Sequence, residues 1–248
     1  MTGQRHLRRL VAAGAINGAA DALQALLAEA AESDADALVI VGDLAAPGNG
    51  KESLRAIFSA LGEGRLPTFW VPGAADAPLS AYLRESYNME IVHPHLHGVH
   101  GTFAIGPGRV LFAGMGGELV DEPEATRLED ERLRYPAWEL EYRLKTIGEL
   151  REHEKVFLFA TQPAHKGLHG AGSEALAVLI NTYRPRLAVV PGDAVAASRL
   201  GTTLVVRPGR LEQGEYALID LHDLSLQPRT LVDQAPRADE RAGSRLAD

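Results

Sequence analysis

Cysteine is absent from this 248-residue chain. That excludes disulfides, thiolate metal ligands and cysteine nucleophiles, and leaves Asp, Glu, Asn or His to bind any metal ion. Long apolar runs are missing too: none approaches the roughly 18 residues of a membrane span. The opening "MTGQRHLRRL" is basic but has no signal-peptide core behind it, so the expected location is cytoplasmic, with no membrane partner. Positive charge is in deficit, with a formal charge of −8 and a pI near 5.6. The charge balance therefore gives no footprint for nucleic acid as a partner. Nucleotide and hydrolase signatures are lacking as well. "GAINGAAD" does not have the G-x-G-x-x-G spacing, and neither a P-loop nor a G-x-S-x-G elbow occurs.

What is present suits one large core. The composition is 46% apolar, with neither internal repeat nor convincing linker, so residues 1–226 are read as a single domain. The segment 227–248, "QPRTLVDQAPRADERAGSRLAD", is charged and Pro-containing with almost no apolar periodicity, and is expected to be a disordered tail. Helical spacing places Leu23, Leu26, Leu27 and Ala30 on one face, and likewise Leu54, Ile57, Phe58 and Leu61. The same holds for Leu140, Leu144, Ile147 and Leu150, and for Leu176, Leu179, Ile180 and Tyr183. Between these lie short continuous apolar runs such as "ALVIV", "TFWV", "RVLFA", "VFLFA" and "LAVV", which predict strands covered on both faces. The first half alternates strand and helix, predicting parallel pairing; the last part has strands joined by turns, predicting antiparallel pairing. The fold class is α/β, with two mixed sheets.

Strand after strand ends at a glycine turn followed by a carboxylate: "VIVGD" at Asp43, "FWVPGAAD" at Asp76, "VLFAGMGGE" at Glu118 and "AVVPGD" at Asp193. In an open α/β sheet such ends line one crevice, and converging carboxylates repel unless a cation joins them. Taken in order, "GAINGAADALQALL", "VIVGD", "VPGAAD", "LFATQPAHKG" and "VVPGDAVAASRLGTTLVVRPGRLEQGEYALIDL" resemble the calcineurin-like metallophosphoesterase superfamily. The resemblance implies a four-layer α/β/β/α sandwich and a dimetal centre that hydrolyses phosphate esters. More narrowly, "LPTFWVPGAADAP", "RYPAWELEYRLK" and "HKGL" resemble a divergent bacterial branch whose metal motifs are degraded.

Carried over one residue at a time, the resemblance keeps the bridging Asp as Asp43. It puts Ala15 and Asn17 in place of the first Asp and its His, Ala74 and Ala75 in place of the Asn and catalytic His, and Ala160 or Thr161 in place of a later His. Asp193 and Val195 fall on the last His pair. Methyl groups neither coordinate cations nor protonate leaving groups, so no catalytic residue is assigned and two metals are not expected. Asp43, Asn17 and Asp193 are the candidate ligands of a single Ca²⁺, Mg²⁺ or Mn²⁺. His165 and Lys166, with His169 beyond them on the same Gly-rich loop, are candidate contacts for a phosphate-containing small molecule. Asp76 is weighed both as a ligand contact and as the N-cap of a helix over "LSAYLRES".

Three further features are weighed. His93, His95, His97 and His100 read as a solvated edge hairpin, because Pro94 interrupts any ladder. Arg207 and Arg210 are either surface arginines or a charge that neutralises Asp193 or Asp43 in place of a metal. Trp138 and Tyr142 are either core or an oligomer face. The leading reading is a catalytically silent or severely weakened phosphoesterase relative that binds a phosphate-bearing ligand or one hard cation. Its alternatives are an active single-metal phosphoesterase and a non-catalytic interaction protein.

Overall fold

A computed structural model of the chain describes residues 6–48, 50–120, 133–168 and 172–231. The chain opens with β1 (Arg9–Gly14), α1 (Ala20–Glu32), β2 (Ala37–Val41), α2 (Gly50–Glu63), β3 (Thr68–Val71), α3 (Leu79–Val92) and β4 (Leu96–Gly98). It continues through β5 (Thr102–Ile105), β6 (Leu111–Met115), β7 (Glu118–Val120), β8 (Arg134–Pro136), α4 (Ala137–Leu144), β9 (Lys155–Phe159) and α5 (Glu174–Tyr183). The last strands are β10 (Leu187–Val189), β11 (Val195–Leu200), β12 (Thr203–Pro208), β13 (Glu215–Asp220) and β14 (Ser225–Thr230).

Two six-stranded sheets result, in the orders β14-β13-β1-β2-β3-β4 and β11-β12-β10-β9-β6-β5, with β7 and β8 as a small pair. Strands β1 to β4 run parallel, as do β6, β9, β10 and β12, while β5, β11, β13 and β14 join antiparallel. The expected antiparallel ending is therefore half right: β11 and β12 form a hairpin, yet β12 itself lies parallel to β10.

The continuous apolar runs have the cause the sequence suggests, because alternate side chains serve different cores. On β1, Leu10 and Ala12 face the other sheet while Val11 and Ala13 face the helices. One core lies between the first sheet and α1, α2 and α3, and Trp70 and Phe58 meet in it at 5.3 Å. A second lies between the other sheet and α4 and α5. The third fills the space between the sheets, where the Phe69 and Phe112 rings stack at 3.7 Å. Helices, sheet, sheet and helices make the four-layer α/β/β/α sandwich.

Four local expectations are corrected. The helix expected across Leu140 to Leu150 ends at Leu144 and passes into a 3-10 turn, Lys145–Gly148, that still buries Ile147. The histidine segment is not a hairpin: His93 closes α3, and β4 pairs parallel to β3 with His97 stacked on Phe69 at 5.2 Å. His100 is buried, takes the Gly116 N–H on Nδ1 at 2.9 Å and so donates from Nε2 to the Tyr135 hydroxyl at 3.0 Å. Finally, β14 crosses the boundary expected at residue 226, because Gln227, Pro228, Arg229 and Thr230 pair with β13. The rest of the expected tail, 232–248, lies outside the described residues.

Candidate functional site

The carboxyl ends of β2, β3, β6, β9, β10 and β12 open onto one cavity of about 250 Å³. Asp43, Glu118 and Asp193 line it together, and so do Ala15, Ala74, Ala160 and Arg210. Most of the remaining lining is glycine: Gly14, Gly42, Gly73, Gly117, Gly192 and Gly209.

Main-chain bonds stitch the loops to one another. Asn17 N–H donates to the Asp43 carbonyl at 2.8 Å, Gly18 N–H to Leu44 at 2.9 Å, Gly117 N–H to Pro72 at 2.8 Å and Glu212 N–H to Ala15 at 3.2 Å. Ala15, Asn17 and Asp43 all sit in the left-handed region, at φ of 44°, 47° and 39°. Non-glycine residues occupy that region at a cost, of order 1–3 kcal/mol each, when their surroundings over-determine it. At Gly73 no other residue fits, because a Cβ there would lie 2.1 Å from both the backbone nitrogen and Oδ1 of Asp43.

Asp76 is fully buried and points inward. Its carboxylate accepts the N–H groups of Leu44 at 3.1 Å, Ala45 at 2.6 Å and Gly73 at 2.8 Å. Burial pushes its pKa up to about 7, helped by the charge of Asp43 and opposed by these three donors. Neither sequence-based role fits this geometry: the carboxylate has no face open to a ligand, and α3 begins after Pro78 with no side-chain cap. Asp76 instead holds the loop that carries Asp43. Asp43 in turn takes the Ala75 N–H on Oδ1 at 3.0 Å.

On the other side, Asp193 pairs with Arg210 at 3.3 Å. The Arg210 Nε also donates to Glu212 Oε1 at 2.8 Å, its Nη2 contacts the same oxygen, and Asn17 Nδ2 donates to Glu212 Oε2 at 2.9 Å. Arg210 holds the Glu212 carboxyl below its ordinary range, and Glu212 raises the guanidinium in return. Glu118 Oε2 lies 2.9 Å from Arg134 Nε, an ion pair by distance whose N–H is not aimed at the oxygen. Arg207 differs from Arg210, since its stem packs over Gly192 and its buried Nε has no partner.

Of the residues picked out by sequence, Asp43 and Asp193 meet at the cavity, and Asn17 reaches it only through Glu212. His165 is half buried and Lys166 exposed, and neither lines the cavity; His169 lies outside the described residues. The one-residue ambiguity at 160 and 161 resolves with Ala160 on the cavity. Thr161 is turned to the backbone, accepting from Leu119 N–H at 2.9 Å and donating to the Gly117 carbonyl at 3.1 Å. Sequence reasoning missed Glu212, whose signal was its position two residues after Arg210 in "RPGRLEQGEY". Among the described residues, no group of three or more His, Cys, Asp or Glu side chains is placed to hold a metal ion.

Two other surfaces stand out. A larger cavity, about 850 Å³, opens at the amino ends of β1, β6, β9 and β10, lined by Arg8, Arg109, His153 and Arg186 among others. There Arg8 pairs with Asp220 and Arg186 with Glu154. On α4, Trp138 and Tyr142 are 63% and 75% exposed, so core packing does not account for them. No helix of the described residues is long and apolar enough to cross a membrane.

The layered sandwich, with several loops converging on one crevice, defines a phosphoesterase-type architecture. Residues 49–231 match the family model described as metallophosphoesterase, calcineurin superfamily, and the chain belongs to that family. It is 42% identical to protein TT1561 of Thermus thermophilus, with a TM-score of 0.87 over 91% of this chain and 100% of that one. A second solved structure is 28% identical, with a TM-score of 0.80 over 91% and 99%. An archaeal phosphodiesterase shares the fold at 6% identity, with a TM-score of 0.53 over 90% and 99%. No curated protein sequence matches.

Proposed function

We propose that this chain is a phosphoesterase-family protein with a degenerate dimetal site. It is catalytically silent or severely weakened, and its crevice binds at most one hard cation, at Asp43, together with a phosphate-bearing small molecule. One observation carries this reading: Ala15, Ala74 and Ala160, which stand where the resemblance implies metal ligands, line the same cavity as Asp43 and Asp193. The donor set does not fit two ions. Asp193 is engaged by Arg210, Glu118 lies beside Arg134, and the lining contains no imidazole. Without an imidazole or another group suited to proton transfer, the lining gives a leaving group no general acid. What remains is a small glycine-walled crevice with an excess of negative charge, suited to a hard cation and, through it, to a phosphate.

Two measurements on the untagged protein test this. Incubated with a phosphodiester and Mn²⁺ or Mg²⁺, it is expected to show no turnover above background; turnover abolished by Asp43→Ala would overturn the reading. A nucleotide with Mg²⁺ is expected to raise the melting temperature by a few degrees, since a ligand at 100 times its Kd stabilises by about 2.7 kcal/mol, and Asp43→Ala should remove the shift.

The exposed side chains of Trp138, Tyr142 and Val178 favour a second role, self-association through the α4 and α5 face. Sedimentation of the Trp138→Ser variant, expected to lower the association state, tests it.

A further inference from the structure

We infer that Arg210 is a built-in counter-ion: its guanidinium ties up Asp193 and Glu212 and thereby keeps divalent cations out of the outer half of the crevice. This inference rests on the reading that the dimetal centre is not assembled, and asks what compensates the carboxylates instead.

The network runs Asn17, Glu212, Arg210, Asp193. Its two ends belong to different sheets, because Asn17 follows β1 and Asp193 follows β10. Arg210 and Glu212 lie on the segment that carries the chain from β12 in one sheet to β13 in the other. A single guanidinium thus spans the crevice mouth, with Nε and Nη2 on Glu212 and Nη1 on Asp193. The planar fork suits this role, since it stays charged at any ordinary pH and can serve two carboxylates at once.

Electrostatics sets the consequence. Asp43, Glu118 and Asp193 share the cavity lining, and Glu212 adds a fourth carboxylate through Arg210. A divalent ion that sought Asp193 would have to displace the guanidinium and meet its repulsion across a few ångströms. Asp43 has no such partner; it accepts a backbone N–H from Ala75. The crevice therefore divides into an inner half, where a cation is tolerated, and an outer half already occupied by a protein charge. The contact with Asp193 is exposed and so weak in stability, but exclusion requires only that Arg210 be present and positive.

The test is a Mn²⁺ titration of the full chain, followed by the loss of the free-ion signal in electron paramagnetic resonance and by calorimetry. Arg210→Ala is expected to bind Mn²⁺ about tenfold or more tightly than the unaltered protein, because two carboxylates lose their counter-charge. Arg210→Lys, which keeps a positive charge, should stay near the unaltered value. Adding Asp193→Asn and Glu212→Gln to Arg210→Ala should abolish the gain. Should Arg210→Ala lose its cooperative melt, Arg210→Gln carries the same comparison. A folded neutral variant at 210 with unchanged Mn²⁺ affinity would overturn the inference, as would a gain that survives loss of both carboxylates. Phosphodiester turnover by the unaltered protein bears on the proposed function alone, so the two readings fail separately.

Discussion

Asp43 and Asp193 reach one cavity from opposite sheets and are held there by different means. The Asp43 side is built from main-chain bonds around a buried carboxylate: Asp76 takes three N–H groups, two of them from the residues after Asp43, and Gly73 lets the backbones touch. The Asp193 side is built from side chains, with Asp193 96% exposed and Arg210 reaching across to it. Buried main-chain donors cannot turn to water when their acceptor is lost, whereas exposed ionic groups can. The first side should behave as part of the fold and the second as an adjustable surface.

The comparison breaks most visibly at Asp76. Asp76→Ala leaves three inward N–H groups unsatisfied at about 1–3 kcal/mol each, so a loss of several kcal/mol in denaturant unfolding is expected. Next comes Gly73→Ala, where the new methyl meets Asp43 backbone; a loss of about 1–3 kcal/mol is expected, with weaker cation binding at Asp43. A smaller effect follows pH. The Asp76 pKa is raised from 3.8 to about 7 in the folded chain, so the folded state holds the extra proton between those values. Its contribution is fully present below the unfolded value and is lost as pH rises towards 7. Stability measured across that range should fall relative to Asp76→Asn. His100, buried and pushed down to about 3, acts in the opposite sense up to its ordinary 6.5, which is why the difference between variants is the useful quantity. Smallest of all, Arg210→Ala should change stability by less than about 1 kcal/mol at physiological salt, and by less still at high salt.

The layers of this fold were legible because each sheet strand buried on both faces leaves a continuous apolar run, as in "ALVIV" and "TFWV". Asp43 and Asp193 were legible for a similar reason, each standing just after a glycine at a strand end. Contacts between distant residues left no such trace. Nothing local tells that Asn17 will meet Glu212, which lies 195 positions away, or that Asp76 will serve Leu44 and Ala45 rather than the helix beginning three residues later. The same limit applies to His100, grouped by sequence with three neighbours but separated from them by burial against Tyr135. Pro228 and the charged residues around it read as tail, although an edge strand tolerates both once β13 supplies a template.

The stitching of the crevice loops has one more implication. The bonds among residues 15–18, 42–45 and 72–76 are made by backbone groups and Asp76, and the side chains of Ala15, Ala74 and Ala160 take no part in them. Shape and chemistry are therefore separable in this protein. Position 15 already has the left-handed backbone that Asp and Asn tolerate best among residues with side chains. Coordinating groups could be grafted onto a socket that is already formed, which makes the chain a starting point for installing a reaction without rebuilding its frame.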